Sequence, residues 1–184
     1  LYVAFQCVDT DLYSTIKHRD GPLYNQDVVE VFFMEQSGDQ GHFVEYEVNP
    51  IGTEFDMYYV KPFVGIQGWT SEGFKSAARY DGSVNKPGNE DVGYTVEMKI
   101  PFADLYIEGR GPKTPEAGST MRINLYRIDY KTPQKAGKVG GRGADPAYIA
   151  WSPPLKLSFH VTDRFGVVEF SALPAGTVAP SQEQ

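Results

Sequence analysis

The stretch that decides the fold is residues 27–50, DVVEVFFMEQSGDQGHFVEYEVNP. It reads as two strands joined by a polar, glycine-containing loop, SGDQG. On the second strand Val44, Tyr46 and Val48 alternate with Phe43, Glu45, Glu47 and Asn49, so one face is apolar and the other largely polar. On the first, Val29, Val31 and Phe33 alternate with Glu30, Phe32 and Met34. A one-residue slip would turn a whole strand over, so burial must fix the register. Stacking the aliphatic residues together sets Val31 opposite Tyr46 and Val29 opposite Val48. The same pairing sets Glu30 opposite Glu47, with Glu45 one step along. Like charges directly opposite are destabilising on a sheet. A merely structural sheet would gain from Thr or Lys at one of them, so the expectation is a wet concave face on which Glu30 and Glu47 act as acceptors. The predicted core is Val29, Val31, Phe33, Val44, Tyr46 and Val48, joined by Val96, Met98 and Ile100 of YTVEMKI.

Working outward, strand-like stretches recur at 1–8, 54–60, 74–80, 93–100, 120–128, 155–160 and 165–170, beside 28–35 and 42–49. Punctuation comes from DG at 20–21 and 81–82, SG at 37–38, NP at 49–50 and KPGNED at 86–91. PFADL, 101–105, reads as a short helical turn. No segment sustains a 3.6-residue apolar period. The predicted class is all-β: an antiparallel β-sandwich of immunoglobulin-like or jelly-roll type.

The 184 residues suit one domain with a substantial core. It is placed at 1–172, with the small-residue and polar stretch 173–184 read as a tail or linker. Because the chain starts inside a strand-like stretch, LYVAFQCV, the numbering is expected to begin within a longer chain whose first strands precede Leu1. Aromatic residues make up 14%, which favours strands. The formal charge of −7 argues against a nucleic-acid backbone or an anionic membrane as partner. No apolar run approaches transmembrane length. The locally basic stretch, with Lys131, Lys135, Lys138 and Arg142 among glycines, is read as a mobile surface loop. Cys7 has no second cysteine to pair with and is read as a core residue.

Several chemistries are missing. GKVGGRG lacks the GxxxxGK[ST] pattern of a phosphate loop, and no GxSxG elbow is present. His18, His42 and His160 show no metal-ligand spacing and are read as surface or packing residues. Glu30, Glu45 and Glu47 share a sheet face, and paired carboxylates hydrolyse glycosides. Such a pair must flank the scissile bond in a cleft that raises one pKa, and nothing in the sequence supplies the wall. No catalytic residue is assigned.

Three blocks carry a resemblance: PLYNQDVVEVFF with FVEYEVNP; GFKSAARYDG followed by GYTVEMKIPFADL; and MRINLYRID with IAWSPP and DRFGVVEF. Together they resemble the family 9 carbohydrate-binding modules and their relatives in the wider DOMON-like group of β-sandwiches. The likeness spans about 1–170. It implies a non-catalytic module, part of a larger polysaccharide-processing protein, that is secreted, periplasmic or on the cell surface. A sugar chain end would lie between two aromatic faces, Tyr24 and Trp151, over a polar floor containing Glu30. Asn49 matches the family's next strand, where Glu47 replaces an arginine that would neutralise Glu30. Trp69 is a third aromatic, to be core or a second platform. Arg122, Arg127 and Lys75 are candidate countercharges, Arg122 first because Arg122, Asn124 and Tyr126 share one strand face. The resemblance requires no cofactor. It allows a structural Ca²⁺, although no DxDxDG-type loop is present. The rival classes are a haem-binding redox domain, with Met34 and His160 as axial ligands, and a glycoside hydrolase or lyase acting on the same sheet face.

The residues also argue for a sugar. A sugar presents an apolar C–H face and hydroxyl edges, so its site needs aromatic planes together with acceptors and donors. Tyr24 stands only three residues before the strand that carries Glu30. Trp151 precedes SPP, a rigid exposed turn.

Overall fold

A computed structural model describes residues 1–35, 41–88, 90–105, 114–132 and 141–172. Among the described residues ten strands form in chain order: β1 Tyr2–Val8, β2 Val28–Glu35, β3 Phe43–Val48, β4 Glu54–Lys61, β5 Val64–Gly65, β6 Lys75–Asp81, β7 Gly93–Lys99, β8 Thr120–Lys131, β9 Ala144–Ala150 and β10 Gly166–Glu169. Every pairing is antiparallel. The smaller sheet has the order β1-β7-β6; the larger runs β10-β8-β2-β3-β4-β5, with β9 also on β8. Both β10 and β9 lie on the edge of β8 away from β2, β10 on residues 120–123 and β9 on 126–131.

The register of β2 on β3 is the one that hydrophobic stacking dictates: Val29 opposite Val48, Glu30 opposite Glu47, Val31 opposite Tyr46. Val29, Val31, Phe33, Val44, Tyr46 and Val48 are buried against Val96, Met98 and Ile100 in one apolar cluster. From the smaller sheet Val3, Phe5 and Cys7 stand opposite Met98, Val96 and Tyr94 and complete it. Gly93, at φ +145, lets β7 approach β1 closely, since a Cβ there would strike the Cys7 carbonyl. Trp69, partly buried, packs on this cluster beside Tyr58, their ring centroids 5.9 Å apart.

Polar clasps hold the ends of the sheets. Asp27 is fully buried, and its two carboxylate oxygens accept the backbone N–H groups of Tyr13 at 2.6 Å and Tyr130 at 2.7 Å. Arg127, on β8, donates to the Val8 carbonyl and to the carboxylates of Asp9 and Asp129, tying the end of β1 to the larger sheet.

Four expectations need correction. Residues 155–160 are not a strand despite their alternation. Two prolines precede them and Leu155 takes φ +56, so the segment leaves the extended region and joins no sheet. A strand lies earlier instead, at Ala144–Ala150, where the sequence reading placed none. Of the supposed basic loop, Lys131 is the last residue of β8, Arg142 donates to the Tyr130 and Tyr148 hydroxyls, and Lys135 and Lys138 lie outside the described residues. Finally, the outer face of the larger sheet is not wet. β3 is buried along its whole length, and Glu30, Glu45 and Glu47 are 1%, 4% and 1% exposed.

Candidate ligand-binding site

The outer face is covered because alternate residues of the central strands build two further apolar clusters with a gap between them. At one end Val28 and Ile128 pack with Tyr13, Leu23 and Tyr130. At the other, Phe32 and Phe43 pack with Met34, Tyr126 and Phe165. Along β2 the order on this face is Val28, Glu30, Phe32; along β3 it is Glu47, Glu45, Phe43. The glutamates therefore fall in the gap. The irregular segment after β9 crosses above them, and its Phe159 ring stacks on Tyr126 at 3.9 Å between centroids.

What remains is a cavity of about 850 Å³. Its floor contains Glu30, Glu45 and Glu47; its walls include Phe32, Phe55, Tyr59 and Phe159; and Tyr24, Tyr148 and Phe63 stand towards the outside, each at least half exposed. β4 supplies Phe55 opposite Glu47 and Tyr59 opposite Phe43. Tyr148 enters from β9, opposite Ile128.

Burial governs the electrostatics. It pushes the Glu30 carboxyl well above the usual carboxylate range, with the Glu45 charge adding to it. Glu47 is raised by burial and then by the charges of Glu30 and Glu45, against which the Tyr24 backbone N–H donates a hydrogen bond. Glu45 is pushed up to about 7 by burial, moderated by hydrogen bonds from the Glu47 carboxyl and the Tyr59 hydroxyl. Among the described residues no Lys or Arg forms an ion pair with any of the three. His160 Nε2 lies 4.0 Å from Glu45 Oε2, but burial holds its pKa down to about 4, so the ring there is neutral. Glu30 Oε1, Glu45 Oε2 and Glu47 Oε2 are buried without a hydrogen-bond partner. Such orphaned acceptors are uncommon in a protein interior.

Of the residues singled out in the sequence, the cavity unites Tyr24, Glu30 and Glu47. Glu45 and His160 line it too, and the remaining candidates lie elsewhere. Asn49 is a structural clamp: its side-chain amide donates to the Ile16 carbonyl and its oxygen accepts the Thr53 N–H. Arg122 shares the outer face but stands opposite Met34, not Glu30, and donates to the Asp163 carbonyl. Arg127 is taken by Asp9 and Asp129. Trp151 is half exposed with its ring against Gly166, outside the cavity lining. The aromatic walls were missed, although FDMYY in β4 did carry a signal, since an apolar residue falls on both faces. Met34 is packed with Phe32 and Phe43, and the His160 ring lies against those same two phenylalanines.

Among the described residues two carboxylate groups have the spacing of a cation site: Asp9, Asp27 and Asp129, and Glu30, Glu45 and Glu47. In the first, Arg127 already binds two of the members and backbone N–H groups take both oxygens of the third, so the residues do not suit an added Ca²⁺. In the second, the three carboxylates carry six oxygens between them, and the mostly apolar walls add few more.

The sequence profile of the carbohydrate family 9 binding domain-like family matches residues 1–172, and the chain belongs to that family. Two solved structures share the fold. A family 9 carbohydrate-binding module from Caldicellulosiruptor kristjanssonii, solved with cellotriose, aligns with a TM-score of 0.60 at 17% identity, covering 99% of this chain and 74% of that one. A Bacteroides uniformis protein assigned a carbohydrate-binding role aligns with a TM-score of 0.55 at 19% identity, covering 92% of this chain and 71% of that one. No curated protein sequence matches.

Proposed function

We propose that the domain binds carbohydrate without transforming it, and that the sugar enters the cavity over the outer face of the larger sheet. The observation that carries this reading is the combination of aromatic walls with a carboxyl floor in one cavity. Rings of Tyr24 and Tyr148 offer flat apolar surface to a sugar's C–H face, and the glutamates offer hydrogen-bonding groups to its hydroxyls. Family membership supports the reading, and the related C. kristjanssonii module is solved with cellotriose. The three carboxyls lie side by side beneath the cavity rather than on two sides of it, which suits holding a ring and not cleaving a bond placed between an acid and a base. As a module it would position a larger, extracytoplasmic protein on its glycan.

Titration calorimetry with soluble oligosaccharides tests this. The expected result is saturable binding by the wild type, weakened severalfold or more in Tyr24→Ala, with no new reducing ends released on prolonged incubation. A panel of neutral and charged oligosaccharides that all fail to bind would overturn it.

A further inference from the structure

The floor of the cavity is more acidic than a neutral sugar requires, and we infer that it receives a primary ammonium group, so that the preferred ligand is a sugar carrying a free, protonated amine. The inference rests on the carbohydrate reading above and narrows its ligand class.

Geometry leads to it. One carboxylate oxygen from each of Glu30, Glu45 and Glu47 lies within 4.8 Å of the other two. Some point therefore lies within about 2.8 Å of all three, the length of a charge-assisted N–H···O bond. An ammonium has three N–H donors and no acceptor. Three buried oxygens here, Glu30 Oε1, Glu45 Oε2 and Glu47 Oε2, have no partner, and their residues are at most 4% exposed. A neutral hydroxyl brings one donor and no charge, and would leave most of this acceptor capacity unused.

A second, independent observation concerns the walls. Phe32, Phe55, Tyr59, Phe63 and Phe159 line the same cavity. Aromatic faces attract organic cations through the ring quadrupole. They supply few of the oxygens that a hydrated or fully coordinated metal ion needs. An anionic floor under aromatic walls thus favours a cation with a carbon skeleton over a bare ion. The cavity's own cationic side chain among its described lining, Lys156, is exposed and forms no ion pair with the floor.

Binding should be linked to protons. Glu30 and Glu47 are held above the usual range by burial, and Glu45 is pushed up to about 7. An incoming ammonium favours their ionised forms and displaces protons to solvent. The other titratable groups on the cavity are Tyr24, Tyr59, Tyr148, Lys156 and His160, with Tyr126 hydrogen-bonded to the Phe159 carbonyl behind the wall. Burial holds Tyr59 and Tyr126 above the ordinary phenol range and His160 near 4, so the glutamates supply the protons near neutrality.

The experiment is calorimetric titration of the wild-type domain at pH 7 with glucosamine oligomers, N-acetylglucosamine oligomers and cello-oligosaccharides of equal length. It is repeated in two buffers of different ionisation enthalpy, with CaCl₂ alone and hexylamine alone as controls. Glucosamine oligomers binding at least about tenfold tighter than either neutral series, with proton release seen for them only, is the expected result. Glu47→Gln should abolish that preference; should the variant not fold, wild-type selectivity and proton release decide. Equal or weaker binding of the amine series, with neutral sugars bound, overturns the inference and leaves the carbohydrate reading standing. Hexylamine binding as tightly as the amino sugar supports the ammonium site but overturns the sugar. Ca²⁺ binding that excludes glucosamine oligomers overturns the inference in favour of a metal, and no binding by any probe overturns both.

Discussion

The two faces of strand β2 make opposite use of neighbouring residues. Val29, Val31 and Phe33 enter an apolar cluster closed by the smaller sheet. Val28, Glu30 and Phe32 point the other way, Val28 and Phe32 into two clusters that Phe159 touches in common, with the cavity between them. Both faces are equally buried: Val31 and Phe33 are 0% exposed and Glu30 is 1%. Burial by itself therefore does not distinguish a structural face from a binding face. The difference lies in whether the buried groups find partners. On β2 the inward residues Val29, Val31 and Phe33 are apolar and packed, whereas its outer face keeps Glu30 Oε1 as a buried acceptor with no partner among the described residues.

The comparison breaks most readily at its closed face. Phe33→Ala removes a fully buried ring from between the sheets and should destabilise the domain by about 3–5 kcal/mol in denaturant unfolding. Its affinity for sugar, measured on the folded fraction, should not change. If affinity falls together with stability, the two faces are one coupled unit.

The next effect is on the open face and depends on pH. Burial pushes Glu45 up to about 7 and Asp27 up to about 8, so both hold protons in the folded state that the unfolded chain has released. A carboxyl raised in this way stabilises the fold fully below its unfolded pKa, and that contribution is lost as pH rises through the folded value. His160, held at about 4, works oppositely: its contribution is present above 6.5 and lost as pH falls towards 4. Thermal melting should accordingly rise as pH is lowered from 8 to 6.5, then level off or fall. Glu30→Gln should raise stability at pH 8 by on the order of 1 kcal/mol, because it removes a carboxyl that burial penalises above its unfolded pKa, and the gain should shrink by pH 6. A loss at both pH values would mean that the carboxyl is structurally required.

Smaller effects sharpen the boundary of the site. Tyr24→Ala, at a half-exposed ring, should alter stability by no more than about 0.5 kcal/mol while costing about 1 kcal/mol in sugar binding. Trp151→Ala should leave affinity unchanged, since that ring rests on Gly166 outside the cavity. Quenching or shifting of Trp151 fluorescence by bound sugar would restore it to the site.

The closed face was legible in the sequence because β2 and β3 each carry one wholly apolar face, Val29, Val31, Phe33 and Val44, Tyr46, Val48, and only one register buries both rows together. The open face was legible only as a conflict, two glutamates set opposite each other. Its covering comes from chain without period: Phe159 and Pro154 belong to a segment whose alternation, LKLSFH, mimics a strand but has no partner. β9 was missed because ADPAYIA carries a proline and follows a glycine-rich run, both signs of loop. The placement of Trp151 could not be read either. A single ring before two prolines is as compatible with lying on a glycine as with facing a ligand.

The clasp at Asp27 has a kinetic consequence. Its two amide partners, Tyr13 and Tyr130, lie 14 and 103 residues away along the chain. Closing the longer loop needs most of the intervening strands already in place, because a chain of that length gains nothing from meeting its own ends early. The carboxylate should therefore engage late in folding and disengage only when the larger sheet opens. In deuterium oxide the Tyr13 and Tyr130 amides, which belong to different segments, should exchange at matched and very slow rates that follow the global unfolding free energy. Local fraying at either segment alone would not release them, so their protection would clock the opening of the whole sandwich.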